Sequence, residues 1–251
     1  MSKLRRAAGI ARSVVTYWRP GRQDALRELY APFVIPGDLV FDIGAHVGDR
    51  TVAFADLGAR VVALEPNPTL LPWLRRFAKR HPGVMVVDEA VGAKAGRGRL
   101  ALCESTPTLS TLAADWRQRV VRANPTFRDV RWHSEVVVTV TTLDELIARY
   151  GTPSFCKIDV EGHEAAVLHG LSQPLDAVSF EFVTGTADVA VACVRRLMAL
   201  GDYHFNAVIG EGRDFVARHW VEGRAIAEWL EAGARGASSG DVYARRREPR
   251  P

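Results

Sequence analysis

Residues 155–164 read FCKIDVEGHE, a short and mainly apolar run that ends in a carboxylate and turns through glycine toward a helix. Residues 39–48 read LVFDIGAHVG and have the same form. Both patterns are typical of buried parallel strands. In open α/β sheets, ligands bind beyond the carboxyl ends of the strands, near the point where the strand order reverses. The two stretches therefore predict an α/β sheet whose acidic rim binds a cationic cofactor and a reacting group.

The length and composition fit one large α/β domain. The chain has 251 residues, 47% of them hydrophobic, so it can bury a full core. Its three cysteines lie far apart and form no CxxC pair, which argues against a zinc cluster or a disulfide framework and predicts a cytoplasmic protein with reduced thiols. No apolar run approaches the roughly 18 residues that a membrane span needs. The N-terminus is a poor secretory signal, although its arginine-rich character leaves a transit peptide open.

The net charge of +4 is concentrated at the two ends of the chain. Residues 1–22 contain six basic and no acidic residues, and residues 241–251 contain four arginines against two acidic residues, so the body between them is acidic. Nearly all the basic residues are arginines, and the sequence has no strip of interleaved aromatic and basic residues. Because single-strand binders use such strips, the sequence predicts no nucleic-acid partner.

The first residues form a predicted basic amphipathic helix. Residues 4–18 place their apolar side chains on one helical face, with arginines mostly opposite. Such a helix can dock on its own domain, which is the interpretation we favour, or it can lie on an anionic membrane surface through residues 1–22. The predicted organisation is a helical segment at 1–35, a main domain at 36–244 and a basic tail at 245–251.

Strand and helix patterns alternate along the main domain, as in a mostly parallel sheet with helices on both faces. The alternation of strands and helices is interrupted over residues 92–141, which we interpret as an insertion over the rim of the sheet. Thr142 and Glu145 have the spacing of a capping box, and residues 241–244 are a predicted last strand at the sheet edge. Further strands are predicted at 39–43, 60–64, 84–88, 98–103, 135–141, 155–159, 177–183 and 204–209, and helices at 49–57, 70–78, 142–150, 162–169, 187–200 and 223–232.

The first glycine turn favours S-adenosylmethionine (SAM) over a dinucleotide. Gly44 and Gly48 flank the turn, but the middle glycine of the GxGxxG fingerprint is missing. Asp42 would repel a pyrophosphate, whereas it can accept a hydrogen bond from an ammonium group. SAM carries an ammonium, a sulfonium and no phosphate. Glu65 lies 21 positions after Gly44, where a carboxylate can bind both ribose hydroxyls.

Several motifs resemble those of FkbM-type SAM-dependent methyltransferases. They are DIGA at 42–45 with Gly48, EPNP at 65–68, TLD at 142–144 and KIDVEGHE at 157–164. The resemblance spans about residues 36–184. It implies a Rossmann-like class I methyltransferase fold with a seven-stranded, mostly parallel sheet, and methyl transfer from SAM, often to a hydroxyl on a sugar, a polyketide or another small natural product. His46 departs from the family, which usually has asparagine there, but both residues tolerate left-handed backbone geometry.

The resemblance and the strand ends together indicate the site residues. Asp159 is the first catalytic candidate, as a base or as a ligand of the methionine ammonium, and Glu161 and His163 come next. Helix capping is the alternative role of the two carboxylates. With Glu181 they sit at neighbouring strand ends and can bind a hard divalent ion, but rim carboxylates are usually solvated, so no metal is predicted. The cofactor-binding candidates are Asp42, Gly44, Ala45, Gly48, Glu65, Asn67, Glu89 and Ala90.

Three classes of function stay open at this level. We favour a SAM-dependent O-methyltransferase acting on a small-molecule acceptor. A nicotinamide-dependent oxidoreductase on a similar sheet is the second class, and the absent middle glycine argues against it. The third is a noncatalytic SAM-binding protein that docks to membranes or a partner. Nothing in residues 92–141 identifies the acceptor.

Overall fold

The computed structural model describes the backbone of residues 2–247 and the side chains of residues 8–247. Residues 248–251, most of the predicted basic tail, lie outside the described residues. The strands are β1 (Leu39–Ile43), β2 (Arg60–Leu64), β3 (Val84–Val87), β4 (Ala90–Val91), β5 (Gly96–Leu102), β6 (Ser134–Thr141), β7 (Phe155–Ile158), β8 (Ala177–Val183), β9 (Tyr203–Ile209), β10 (Val221–Glu222) and β11 (Ser239–Arg246). The helices are α1 (Ser2–Tyr17), α2 (Arg22–Tyr30), α3 (Asp49–Asp56), α4 (Leu71–Ala78), α5 (Ala114–Ala123), α6 (Leu143–Tyr150), α7 (Glu164–His169), α8 (Ala187–Leu200) and α9 (Gly223–Glu231), with short 3₁₀ turns at Pro107–Leu109, Pro125–Phe127 and Ala234–Gly236.

An eight-stranded sheet forms the centre of the fold, in the order β10-β9-β11-β8-β7-β1-β2-β3. The strands from β3 to β8 in this order pair in parallel, and β11 pairs antiparallel with both β8 and β9. The sheet thus has one strand more than the predicted seven, the additional strand being the two-residue β10. The chain runs outward from β1 to β3 and then returns to β7 beside β1. Ligands of α/β sheets bind at such a reversal of strand order.

Side chains alternate along the buried strands and build a core on each face of the sheet. In β1, Phe41 and Ile43 pack in one apolar cluster with α6, α7 and α8, whereas Val40 packs in another with α2 and α3. Every residue of β1 and β7 is buried. Helices on both faces explain why these strands read as apolar runs rather than as alternating patterns.

The insertion at 92–141 forms a second, smaller structure against the rim. Its strands β5 and β6 form a three-stranded sheet with β4, which directly precedes the insertion, and this sheet has its own apolar core. Helix α5 buries Trp116. The Trp116 indole N–H donates to the hydroxyl of Thr186 (3.0 Å). The hydroxyl of Thr111 donates to the backbone carbonyl of Glu161 (2.7 Å). These contacts fasten the insertion to the turns after β7 and β8.

The last strand lies inside the sheet, so the prediction of an edge strand at 241–244 is wrong. β11 runs between β8 and β9 and pairs with both along its length. Val242, Tyr243 and Ala244 are fully buried, and Tyr243 stacks on Phe33 with ring centroids 5.5 Å apart. A central position satisfies the backbone hydrogen bonds on both sides of the strand. The edge strand on this side of the sheet is β10.

The N-terminal helix docks on its own domain. The Trp18 ring, just after α1, stacks on Phe77 with centroids 3.9 Å apart, and its indole N–H donates to the Val47 carbonyl (3.3 Å). Val15 is 73% exposed on the same helix. Among residues 2–247, no helix combines the length and the apolar character needed to cross a bilayer. Contact of residues 1–22 with a membrane surface stays a prediction.

Candidate active site

A cavity of about 1140 Å³ opens at the carboxyl ends of β1, β2, β7 and β8. This volume includes space open to solvent, and the cavity lies where α/β sheets bind their ligands, beyond the carboxyl ends of parallel strands. Its walls come from the turns after β1, β2 and β7 and from residues 107–112 of the insertion. Tyr17, at the end of α1, lines one side.

The turn after β1 has a backbone conformation that requires glycine at Gly44. Its φ is 80°, and a Cβ atom there would lie 1.9 Å from the carbonyl oxygen of Asp159. The amides of Gly44 and Ala45 both donate to the Leu64 carbonyl (2.9 Å each), and Gly48 ends the turn at φ 84°. The turn therefore presses against the turn after β7, which brings the two predicted acidic strand ends together.

A buried lysine lies between these two acidic strand ends. Lys157 is the β7 neighbour of Asp42 in the parallel register. Its Nζ lies 2.9 Å from Asp159 Oδ2 and 4.0 Å from Asp42 Oδ1. Asp42 Oδ2 accepts a hydrogen bond from the Thr51 hydroxyl (2.5 Å), while Oδ1 has no hydrogen-bond donor among the described residues. Lys157 is thus the counter-charge of both predicted site carboxylates.

Burial and charge set the protonation of this group. Burial raises the pKa of the Asp42 carboxyl, and the charge of Lys157 opposes this only in part. Burial alone would raise the pKa of Asp159, but the charges of Lys157 and Arg50 lower it below its ordinary value. Burial alone would lower the pKa of Lys157, but the charges of Asp159 and Asp42 raise it instead. Asp159 and Lys157 are therefore a charged pair at neutral pH, and Asp159 is better suited to bind a cation than to accept a proton.

Glu65 connects the turns after β1 and β2. Its Oε2 accepts the amide N–H of His46 (2.9 Å) and its Oε1 accepts that of Asn67 (2.8 Å). The residue is only 6% exposed, and this burial raises its pKa to about 7. Because a carboxylate oxygen can accept more than one hydrogen bond, both oxygens can still accept from a ligand. Glu65 thus lines the cavity as a positioned acceptor, and its role toward a ribose stays a prediction.

His46 keeps the turn geometry that the sequence predicts for either histidine or asparagine. Its φ is 51°, and its ring meets the Tyr17 ring edge-on at a centroid distance of 5.1 Å. The Nε2 atom is buried and has no hydrogen-bond partner in the part of the chain that the structure describes. Burial lowers the pKa of His46 to about 4, so the imidazole is neutral at pH 7.

We expect His46→Asn to make the fold less sensitive to acid. An unfolded histidine gains a proton below about pH 6.5, whereas folded His46 gains one only near pH 4. Stability of the wild type is therefore lost as the pH falls through this window, by at most about 3 kcal/mol from this group. Asparagine keeps the left-handed turn without this cost. Urea unfolding at about pH 7.5, 6 and 4.5 measures it, and parallel stability losses in both proteins would contradict the prediction.

The turn after β7 carries the other catalytic candidates. Glu161 has a left-handed backbone (φ 56°), and its carbonyl accepts the Thr111 hydroxyl. Glu164 caps the turn, because its Oε1 accepts two backbone amides (3.0 and 3.2 Å). These amides, of Val160 and Gly162, precede α7, whose N-terminus has no side-chain cap, and Asp159 and Glu161 line the cavity. His163 lines it as well, and burial lowers its pKa.

Nine of the eleven predicted site residues line the cavity, and Gly48 and Asn67 do not. Gly48 only ends the turn, and the buried Asn67 amide donates to the Ser110 hydroxyl (3.1 Å), which ties the turn after β2 to the insertion. Glu89 lines the cavity, but Arg149 binds both of its carboxylate oxygens (3.2 and 2.8 Å). The predicted residues on the cavity wall are Asp42, Gly44, Ala45, Glu65, Glu89, Ala90, Asp159, Glu161 and His163.

Sequence reasoning missed two basic or aromatic residues of the wall, Tyr17 and Arg50. Arg50 lies 3.6 Å from Asp49 and 3.5 Å from Glu211, and its Nε has no hydrogen-bond partner within residues 2–247. Its place in the first turn after the glycine motif is a signal that could have marked it. Tyr17 has no such signal, because it reaches the cavity only when α1 docks.

Comparison with known families agrees with this geometry. The model of the methyltransferase FkbM domain matches residues 42–223. The chain belongs to the FkbM methyltransferase family. The match begins at Asp42 and includes the cavity walls from β1, β2, β7, β8 and the insertion. The protein is therefore a SAM-dependent methyltransferase, and the oxidoreductase and noncatalytic alternatives are set aside.

Two curated relatives of this FkbM methyltransferase are named as methyltransferases. The hexuronic acid methyltransferase AglP of Haloferax volcanii is 28% identical over 193 residues, which cover 74% of this chain and 73% of the relative. The 31-O-demethyl-FK506 methyltransferase FkbM of Streptomyces tacrolimicus is 33% identical over 157 residues, which cover 54% of this chain and 60% of the relative.

Solved structures with a similar arrangement are distant in sequence. Precorrin-6y C5,15-methyltransferase from Geobacter metallireducens aligns with a TM-score of 0.47 at 13% identity, covering 90% of this chain and 87% of that chain. Aeropyrum pernix fibrillarin, described in complex with natively bound SAM, aligns with a TM-score of 0.45 at 12% identity, covering 88% of this chain and 76% of that chain. The strand order and the family membership confirm the predicted class I methyltransferase fold with a mixed, mostly parallel main sheet.

Proposed function

We propose that this FkbM methyltransferase transfers the SAM methyl group to a hydroxyl oxygen of a sugar-like small molecule. The observation that carries the proposal is a single cavity with two chemically different sides. One side is the anionic wall at the ends of β1 and β2, and the other is the polar wall formed by the turn after β7 and by residues 107–112 of the insertion.

The residues at the ends of β1 and β2 fit the cofactor. Asp42 has a buried oxygen with no donor among the residues described, and the methionine ammonium would supply one. Glu65 offers lone pairs on both oxygens to the ribose hydroxyls. When bound, SAM supplies an electrophilic methyl group on a sulfonium. Gly44 keeps this wall in contact with the backbone of Asp159, so the cofactor side and the acceptor side stay at a set distance.

The turn after β7 supplies the acceptor side. His163 is the base that we propose for the acceptor hydroxyl, because Asp159 on the same cavity wall is already paired with Lys157. A positioned base typically contributes about 10²–10⁴-fold to the rate. The larger part of the catalysis comes from holding the acceptor oxygen in line with the bond that breaks. Thr108 on the insertion adds a hydroxyl to this wall.

The names of the relatives support an oxygen-rich acceptor. One is a hexuronic acid methyltransferase and the other a 31-O-demethyl-FK506 methyltransferase, a name that specifies an oxygen atom. The acceptor wall of this chain offers carboxylate, imidazole and hydroxyl groups, which suit a hydroxylated molecule better than an apolar one.

Labelled methyl transfer tests the proposal. The full chain would be incubated with trideuteromethyl-SAM and a panel of hexoses, hexuronic acids and hydroxylated macrolides, and the products analysed by mass spectrometry. We expect one labelled methyl group per acceptor, and we expect it to survive mild alkali, because a methyl ether is stable there. A base-labile methyl group, which marks an ester on a uronic carboxylate, would contradict transfer to a hydroxyl. A methyl group on nitrogen would contradict it too.

We expect Glu65→Ala to weaken SAM binding about 100-fold or more. Two charge-assisted hydrogen bonds to the cofactor would be lost, each worth roughly 1.5–3 kcal/mol. Isothermal titration of SAM into both proteins measures the effect. Asp88→Ala is the matched control, since Asp88 is an exposed carboxylate of the neighbouring strand end whose nearest ion pair is 3.6 Å long. Equal affinity in wild type and Glu65→Ala would remove Glu65 from the cofactor site.

A further inference from the structure

Three carboxylates converge on the cavity wall at the ends of β7 and β8. Ile158 and Phe180 are paired in the parallel register of these strands, so Asp159 and Glu181, the next residue on each strand, lie side by side. Glu161 joins them from the turn after β7. One carboxylate oxygen of each residue lies within 4.8 Å of the other two.

Two of the three carboxylates have buried oxygens without a donor. Glu161 is only 7% exposed, and its Oε2, like the Oε2 of Glu181, has no hydrogen-bond partner in the described part of the chain. The Lys157 ammonium pairs with Asp159 Oδ2, which leaves Asp159 Oδ1 for another ligand. Buried carboxylates are costly unless they are paired with charge or bind a metal ion. Lys157 pairs with only one of the three carboxylates, so the cluster is short of positive charge.

The turn holds Glu161 in this position by contacts on both sides. Its left-handed backbone is supported by the Thr111 hydroxyl on its carbonyl and by Glu164, which accepts the amides before and after it. A strained residue persists only where the surroundings support it. Glu164 uses its Oε1 for the turn, whereas the carboxylate of Glu161 lines the cavity. The turn thus presents Glu161 to the two strand ends.

Two states of the cluster would reduce the repulsion among its carboxylates, and they differ in charge. Burial is the main cause that raises the pKa of Glu161, and the charge of Asp159 raises it further. Burial is likewise the main cause that raises the pKa of Glu181, and the charge of Glu161 raises it further. The carboxyls can therefore hold protons, or a cation can replace those protons and bind all three residues.

We propose that Asp159, Glu161 and Glu181 bind one hard divalent cation of the Mg²⁺, Mn²⁺ or Ca²⁺ class. An all-oxygen set of carboxylates suits these ions and disfavours ions that prefer nitrogen or sulfur. Three protein ligands leave coordination positions open toward the cavity, where the oxygens of an acceptor can bind. That role toward the acceptor rests on the proposed function, but binding of the cation does not. The sequence predicts no metal because rim carboxylates are usually solvated, and these oxygens are buried.

Direct binding of Mn²⁺ tests the site independently of methyl transfer. The full chain would be treated with EDTA, dialysed, and titrated with Mn²⁺ while the six-line electron paramagnetic resonance signal of free Mn²⁺ is followed. We expect one Mn²⁺ per chain, displaced by excess Mg²⁺ or Ca²⁺. Glu161→Gln and Glu181→Gln keep the side-chain shape and should each weaken Mn²⁺ binding by more than about tenfold. Glu231→Gln removes an exposed carboxylate of α9 and should leave it unchanged.

SAM binding measured on the same samples separates this proposal from the proposed function. The Mn²⁺ titration is done with and without S-adenosylhomocysteine, and circular dichroism checks that each protein is folded. Wild type that binds SAM but no Mn²⁺ up to millimolar concentrations overturns the cation site and leaves the methyltransferase assignment intact. Equal Mn²⁺ affinity in the wild type and in both glutamine variants also overturns it. Mn²⁺ binding that depends on both glutamates supports the cation site even in a protein that methylates none of the tested acceptors.

Discussion

Gly44→Ala is expected to destabilise the fold by about 2–5 kcal/mol and to abolish SAM binding. The new Cβ would lie 1.9 Å from the carbonyl oxygen of Asp159, which belongs to a backbone that cannot rotate away as a side chain could. Forcing the two turns apart costs roughly 1–3 kcal/mol, and a side chain at φ 80° costs about 1–2 kcal/mol more. Separating the turns also moves the cofactor wall away from the acceptor wall. Urea unfolding and SAM titration measure the two effects.

Gly37→Ala is the matched control for the backbone strain alone. Gly37 also has a left-handed backbone (φ 90°), but a Cβ atom there would have nothing within 4 Å among the described residues. We expect this variant to lose only about 1–2 kcal/mol and to bind SAM like the wild type. Equal losses of stability in the two variants would show that the contact between the turns carries no cost. Normal SAM binding by a folded Gly44→Ala protein would contradict the position assigned to the first turn.

Lys157→Met is the second variant for which we expect a large effect, a loss of about 3–5 kcal/mol in unfolding free energy. Lys157 is 2% exposed and is the partner of both Asp42 and Asp159. Methionine keeps much of the length and apolar volume of the lysine stem, so packing is nearly preserved and the loss comes mainly from charge. Removing the ammonium leaves two carboxylates without their shared counter-charge. Chemical unfolding at neutral pH measures the change.

Two further variants show whether charge is the cause. Lys79→Met removes an exposed lysine at the end of α4 and should change stability by less than about 0.5 kcal/mol. Asp42→Asn added to Lys157→Met removes one of the two uncompensated carboxylates and should recover part of the lost stability. A double variant that is no more stable than Lys157→Met would contradict the charge argument and would indicate that the lysine stem matters through packing.

The buried elements were predictable to the residue where local pattern and burial agree. β1, β2, β8 and α8 have the predicted bounds, because continuous apolar runs ended by glycine or acidic residues leave little choice of register. The helix after Thr142 was also predicted, and its cap is present: the Thr142 hydroxyl accepts the Glu145 amide (3.1 Å). The Glu145 side chain, however, accepts the Thr141 hydroxyl (2.7 Å) instead of returning to the cap residue.

Sequence spacing was less informative about which neighbour each residue meets. Gly48 and Asn67 belong to the predicted motifs, but their contacts are with the turn and the insertion and not with the cavity. β11 has the pattern of a strand, but no local feature shows that it enters between β8 and β9. Pairing of this kind depends on contacts between residues far apart in the chain, which patterns of ten residues do not contain.

The sequence by itself determined the family, the two acidic strand ends, the glycine turn and the SAM-type cofactor, because these depend on residue types at short, definite spacings. Only the tertiary structure decided the environment of those groups. It placed Lys157 between Asp42 and Asp159, left one buried oxygen of Glu161 and one of Glu181 without a donor among the described residues, and brought Tyr17 to the cavity. The physical reason is that charge state and ligand preference depend on burial and on the nearest charges, which arise only when distant segments pack together.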